Sequence, residues 1–251
     1  MHLSARPWPA LAVALCAALV TALVTALALV PAGEASARRA GPGYQQPTVG
    51  SCHSYSAQQL AKPTEGRAEV PCTGPHTAQT IAVLRVTGSP AATNAFTRYG
   101  PRCYRAMTKA LGGNEAKIVS TAYAVAFFRP SNKQIEQGAR WLRCDLVLAG
   151  GNRLQPLSSP LVTDPADDSV ARCANGTASR ATVCSRTHTY RVSGTVAGAG
   201  RYPSLSSFAR IAATRCPAKV TTPKRFQLYF PPAEQWRSGA KAMACLSRTS
   251  R

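Results

Sequence analysis

Cysteine and histidine are the residues in this chain whose types and spacing could do chemistry. Beyond Cys16, eight cysteines fall into two ordered sets, Cys52, Cys72, Cys103, Cys144 and Cys173, Cys184, Cys216, Cys245. In each set a histidine stands four residues after the second cysteine, His76 after Cys72 and His188 after Cys184. Thiolate and imidazole at that spacing can bind zinc. A free thiolate beside an imidazole can also act as a nucleophile. An even cysteine number in an exported chain instead predicts disulfides. That pairing leaves no free thiolate as nucleophile and few as metal ligands. All eight cysteines are therefore expected in disulfides, with a metal site as the competing reading and no cofactor expected. His76 and His188 are expected to hydrogen-bond in the turn after the second cysteine, fixing the strand that follows.

Those sets belong to a longer internal repeat. Phe128-Arg129-Pro130, Ile135, Gly138, Ala139, Arg140 and Cys144 recur at equal spacing as Tyr229-Phe230-Pro231, Trp236, Gly239, Ala240, Lys241 and Cys245. Each copy reads as a strand, a proline stop, a two-turn helix, a glycine stop and a strand into a cysteine. Ser131 with Gln134 forms a capping-box pattern, and Pro232 starts the second helix by fixing φ. Gly138 and Gly239 suit a left-handed helix stop. Ile135 and Trp236 fall where the helix would point its one large apolar side chain inward. Eight cysteines allow roughly a hundred connectivities, but two copies should pair alike. The preferred pattern joins Cys52–Cys72 and Cys173–Cys184 across neighbouring strands, then helix to last strand as Cys103–Cys144 and Cys216–Cys245.

The elements that must position these residues can be read in order. Val49 to Tyr55, Ala68 to Cys72 and Ala78 to Val86 read as strands. Ala91 to Leu111 is helical in composition, with Gly100-Pro101 as an interruption and a fresh start. In its second part Cys103, Met107 and Ala110 share a face. Ile118 to Phe128 and Trp141 to Leu148 read as strands. Residues 150–170 hold glycines, prolines and the acids Asp164, Asp167 and Asp168, and read as a linker. In the second copy Thr187 to Val196, Arg225 to Phe230 and Lys241 to Leu246 read as strands. Ser204 to Arg215 reads as a helix with Phe208, Ile211 and Ala212 inward. The expected fold is α+β: two tandem small disulfide-stapled modules, 47–149 and 171–247. Each is a mostly antiparallel sheet with one main helix and one short helix.

Leu11 to Val30 is an apolar run preceded by Arg6 and followed by Ala35-Ser36-Ala37. Residues 1–37 read as a secretory signal cut after Ala37. An uncleaved anchor formed by residues 11–30 is the alternative, and residues 38–46 read as a flexible tether. The expected location is extracytoplasmic, secreted or in the cell envelope. The signal segment carries one base, Arg6, and one acid, Glu34, so its removal leaves the net charge at +20. An exported protein does not meet a genome, so nucleic acid is not the expected partner. An anionic envelope polymer, a membrane surface or another envelope protein is.

No nucleophile elbow, zinc-protease, phosphate-loop or dinucleotide pattern is present. Carboxylate pairs for hydrolysis would have to come from Glu65, Glu69, Glu115, Glu136, Asp145 and Glu234. No catalytic residue is assigned. Trp141, Trp236, Tyr99, Tyr104, Tyr190 and Tyr202 could line a ligand groove or pack in the core.

The modules resemble the septum formation domain family of actinobacterial exported and membrane-anchored proteins. Val49-Gly50-Ser51-Cys52 is similar to that family's opening V-G-D-C, with Ser51 in place of the acid. Val70-Pro71-Cys72-Thr73-Gly74-Pro75-His76 resembles its V-x-C-x-x-P-H. Pro231, Trp236, Gly239, Lys241 and Cys245 resemble its closing series. The first copy departs at Ile135, where the family has tryptophan. The second has Thr187 in place of the proline before the histidine. Thr77, Gln79, Thr189 and Arg191 stand where acids often follow that histidine. The resemblance implies an envelope or division association and no particular reaction. The expectation is an exported, non-enzymatic envelope protein that binds or scaffolds. An exported hydrolase of envelope polymers and a secreted metal-binding protein are the alternatives.

Overall fold

The computed structural model describes residues 41–249. Arg6, Cys16, the apolar run 11–30 and the Ala35–Ala37 pattern lie outside the described residues. The fold is α+β, with two five-stranded antiparallel sheets and four disulfides. In the first half the strands are β1 (Cys52–His53), β2 (Ala78–Arg85), β3 (Tyr123–Phe128), β4 (Trp141–Ala149) and β5 (Leu154–Gln155). Its helices are α1 (Ala95–Ala110), α2 (Glu115–Val119) and α3 (Asn132–Glu136). The second half has β6 (Arg172–Ala174), β7 (Ala181–Val183), β8 (Tyr190–Val196), α4 (Leu205–Arg215), β9 (Phe226–Tyr229), α5 (Ala233–Arg237) and β10 (Met243–Arg248).

Strand order is β1-β2-β4-β3 in the first sheet, with β5 added on β4, and β7-β6-β8-β10-β9 in the second. Leaving out β5 and β7, the two frames correspond strand for strand. The registers correspond as well. Cys52 pairs Gln79 and Cys173 pairs Arg191. A bulge falls between Thr80 and Ala82 opposite Asp145 and Cys144. Its counterpart lies between Val192 and Gly194 opposite Leu246 and Cys245. A bulge re-aims side chains and increases twist, so a shared one makes the two frames comparable residue by residue.

Each main helix lies on one face of its sheet. α1 buries Tyr99, Cys103 and Met107 at helical spacing, whereas Ala110 is exposed and Leu111 takes the buried place. α1 also runs unbroken through Gly100-Pro101, where a restart was expected. Proline removes one backbone donor and crowds the preceding turn. Tyr99 and Cys103, buried on either side, hold the helix against the sheet, and Gly100 leaves room for the Glu234 side chain of α5. In α4 Phe208 is buried, stacked on Phe230 with centroids 4.0 Å apart. Ile211 packs on the same cluster half-buried, and Ala212 is also half-buried.

Other expectations shift locally. Ile118 and Val119 sit in α2 and not in a strand, because Asn114 caps that turn by accepting from Lys117 N. Val70 makes an isolated bridge to Cys52 in place of a second strand. Residues 42–45 dock on the first half: Arg140 N donates to Pro42 O and Trp141 Nε1 to Tyr44 O. The stretch 150–170 is packed too, with Leu157 buried and Tyr123 Oη donating to Val162 O. One apolar cluster takes Met107, Leu146, Leu157, Val170 and Val183 from both halves and the stretch between them. The halves therefore share core while keeping separate sheets.

Candidate functional site

The cysteines pair within each half, as Cys52–Cys72, Cys103–Cys144, Cys173–Cys184 and Cys216–Cys245. One bridge in each half closes the loop after the opening strand, and the other ties the main helix to the last strand. The Cys-x3-His spacings thus offer no thiolate to a metal. Among the described residues no group of three or more histidine, cysteine and carboxylate side chains is placed to hold a metal ion. His76 and His188 are buried and make the same bond: Nδ1 lies 2.9 Å from Gly74 O and 2.7 Å from Arg186 O. Each ring closes the turn ahead of the long strand, β2 or β8.

In the repeated closing element Pro130 and Pro231 are buried. Gly138 and Gly239 take φ of 103° and 104°, which side chains with a Cβ rarely adopt. Trp236 is buried and its Nε1 donates to Gly200 O, while Ile135 stays half-buried. The difference has a counterpart across the frame. Val86 N donates to Arg140 O and Gly198 N to Lys241 O, which makes Val86 and Gly198 matched positions. A Cβ on Gly198 would come within 2.2 Å of the Trp236 ring. Large faces small in the second half, and the first half has Val86 and Ile135 at the same two places.

The densest polar constellation lies beneath the Cys52–Cys72 loop, on the sheet face turned away from α1. Arg143 bridges Glu65 at 2.8 Å and Asp145 at 3.0 Å, and neither carboxylate side chain is solvent-exposed. Tyr55 Oη and Thr80 Oγ1 donate to the two oxygens of Asp145. His53 Nε2 lies 3.2 Å from both Thr80 Oγ1 and Ser51 Oγ. The guanidinium also sits 5.0 Å from the Phe128 ring centre. Burial raises the Asp145 carboxyl above its usual 3.8 and lowers the His53 imidazole below 6.5, with Arg143 next in lowering His53. Burial likewise pushes the Tyr55 hydroxyl up.

Ser51, His53 and Glu65 stand in the order of a nucleophile, a base and its orienting acid. Their geometry does not complete that relay. Ser51 Oγ donates to Thr48 O at 2.8 Å, and His53 Nδ1 is 3.8 Å from Glu65. Glu65 is held instead by Arg143. What the set does is fix the loop: Glu65, carried on it, is locked to β4 by a charge-assisted bond. The other acids are dispersed, with Glu234 on Arg237, Asp168 on Arg191 and Glu115 accepting from Lys241 N. Of the aromatic residues, Tyr99 bonds Thr87, and Tyr202 packs edge-on against Phe208 and Trp236. Tyr190 packs on the second sheet, and Tyr104 stands at the wall of a cavity between the halves.

A family model described as septum formation matches residues 50–245, from the glycine before the first bridged cysteine to the last bridged cysteine. The chain belongs to the septum formation family. No curated protein and no solved structure matches it. Membership in the septum formation family connects the stapled frame with cell division and the envelope, and four disulfides suit an oxidising compartment. Among the described residues no helix is long and apolar enough to cross a membrane.

Sequence reasoning named Glu65 and Asp145 only as members of a scattered set, and missed His53, Tyr55, Thr80 and Arg143. One signal was available. Arg143 and Asp145 alternate with Leu142, Cys144 and Leu146, which puts them together on one face of a confident strand. Such alternation normally marks a face open to water. The covering loop from outside the strand is what buries it.

Proposed function

We propose that this is an extracytoplasmic, non-enzymatic envelope protein that binds or scaffolds through its basic surface, its partner being an anionic wall polymer, a lipid surface or another envelope protein. The observation that carries the reading is the charge arrangement. The chain has a formal net charge of +20. Among the described lysines and arginines, Arg143, Arg191 and Arg237 are those that make salt bridges to carboxylates. Most of the remaining bases are exposed or half-buried, Arg172 being buried, and a field of one sign concentrates counter-ions of the other. The frame supports such a role, since two bridges in each half keep a modest core closed outside the cell. Two copies of one ancestral module account for the matched strand order, bulge and bridges.

Pull-down on purified cell wall and on vesicles containing anionic lipid tests this. The expected result is retention at low salt that falls away as exposed charges are screened near 1 M salt. Retention unchanged by salt, or none on either material, counts against a charged surface as the binding element. Turnover of wall polymer by the purified chain would instead favour the hydrolase alternative, and stoichiometric metal by elemental analysis the metal-binding one.

A further inference from the structure

A cavity of about 380 Å³ lies between the halves. Its wall includes Tyr104 and Met107 from α1, Val119 from α2, Arg172 from β6, Tyr229 from β9 and Gln235 from α5. That size falls in the range of small-molecule sites. Arg172 is 5% exposed. Its Nε donates to Val119 O at 2.8 Å, and its guanidinium carbon sits 4.0 Å above the Tyr229 ring. Among the described residues, no carboxylate forms a salt bridge with it and its two terminal nitrogens have no acceptor. A guanidinium carries five donors in a planar fork. One is used inside the protein, and the residue lines the cavity. Gln235 is buried with no hydrogen bond from its amide to a described residue, and the hydroxyl of half-buried Tyr104 has none either. Burial raises the Tyr104 hydroxyl and lowers the Arg172 guanidinium from their usual values.

The first half shows what such an arginine ordinarily requires. Phe128 and Tyr229 occupy matched places, opposite Arg143 and Ala244 in their sheets. Each carries a guanidinium over its ring, Arg143 over Phe128 and Arg172 over Tyr229. Arg143 is neutralised by Glu65 and Asp145. Among the described residues Arg172 has no such carboxylate. A buried, unpaired charge is unfavourable unless something of opposite sign reaches it, and a planar fork fits a carboxylate in two-point contact.

We propose that this cavity binds a small organic carboxylate, its oxygens on the terminal nitrogens of Arg172 and its apolar body against Tyr104 and Met107. Gln235 and Tyr104 donate to whichever oxygen faces away from the arginine. The site goes beyond the surface reading above and stands or falls separately, because it depends on one buried arginine and not on net charge.

Saturation-transfer NMR on the purified full-length chain tests it, with hexanoate, hexanamide and hexyl phosphate as probes. Hexanoate is expected to bind saturably, and hexanamide at least about tenfold more weakly, as loss of a charge-assisted contact implies. Arg172→Gln is expected to weaken hexanoate by a similar factor, with disulfide content and thermal unfolding confirming that the variant is folded. Should it not fold, Gln235→Leu decides, with an expected loss of about threefold to tenfold for one hydrogen bond. No saturable binding of hexanoate overturns the site, as do equal binding of acid and amide, unchanged affinity in the folded Arg172→Gln variant, or unchanged affinity in Gln235→Leu where that variant decides. Preference for hexyl phosphate overturns the carboxylate assignment.

Discussion

On the sheet face turned away from each main helix, matched positions carry different chemistry. The first half has His53, Thr80, Arg143 and Asp145. The second has Ala174, Val192, Ala244 and Leu246 at the same registers. The covers differ accordingly. The first face lies under its own loop, whose bridged cysteines are 20 positions apart and which brings Tyr55 and Glu65. In the second half the same separation is 11 positions, a tight hairpin of β6 and β7. That face is closed by Val119 of the first half and by Ala178. A frame of one topology thus tolerates a polar interior where a loop supplies countercharges, and an apolar one where another element docks. Buried ion pairs add little net stability over apolar side chains, and losing one partner is costly.

The sharpest way to break this comparison is to remove the central cation. Arg143→Met leaves Glu65 and Asp145 buried without a counter-charge, with an expected loss of about 3–5 kcal/mol in urea unfolding with the disulfides intact. Converting the set toward its apolar counterpart, as Glu65→Gln, Arg143→Met and Asp145→Leu together, should recover most of that loss. The hydroxyls of Tyr55 and Thr80 would then lack Asp145, leaving a residual cost of about 1–2 kcal/mol. A triple variant as unstable as the single one would show that shape, not charge, holds the loop.

A second test exchanges the packing solutions beneath the short helices. Trp236→Ile in the second half creates a void worth about 3 kcal/mol. Gly198→Val drives side-chain atoms into the Trp236 ring and toward Lys241 O, which a Cβ alone would approach within 2.6 Å. Its expected cost is about 1–3 kcal/mol. Combined, the two reproduce the pair that the first half uses, Val86 with Ile135. The double variant should therefore be more stable than the sum of the single losses predicts, by about 1 kcal/mol or more in a double-mutant cycle. Strict additivity would mean that the matched hydrogen bonds of Val86 and Gly198 do not make these positions equivalent in packing.

The frame was readable because its signals are local or repeated. Two ordered cysteine sets, a histidine at one offset and a Pro–Gly spacing shared by both halves mark strands and turns that depend on nearby residues. The α+β class followed from them. Elements decided by distant contacts were not readable in the same way. Pro101 signals a helix break, and it is packing of Tyr99 and Cys103 on the sheet that carries α1 through. Ile118 and Val119 have strand composition, yet Asn114 caps a helical turn whose apolar side is covered by both halves. Arg143 and Asp145 alternate like a wet face, and only the loop from outside the strand makes them interior. Arg172 gave no signal, since a base before a cysteine means nothing until Tyr229 and Val119 are folded against it.

The smallest expected effect separates the halves by pH. His53 is buried against Thr80 and Ser51, with Arg143, Asp145, Glu65 and Glu69 as the charges around it, and its matched position is Ala174. Burial, then Arg143, lowers its pKa below 6.5, so the unfolded chain takes up the proton more readily than the folded one. Its contribution is fully present above about pH 6.5 and is lost as pH falls toward the folded value. Asp145 acts with the opposite sign. Raised above 3.8 by burial, it holds its proton more readily when folded and favours the native state toward acid. The slope from the histidine is at most about 1.4 kcal/mol per pH unit for one proton. Urea unfolding at pH 7.5 and 5.5 should show wild type losing up to about 1 kcal/mol more than His53→Gln, which keeps a polar group near Thr80 but cannot titrate. A larger acid loss in His53→Gln than in wild type would mean that the imidazole is stabilised by protonation, and that Glu65 pairs with His53 as well as with Arg143.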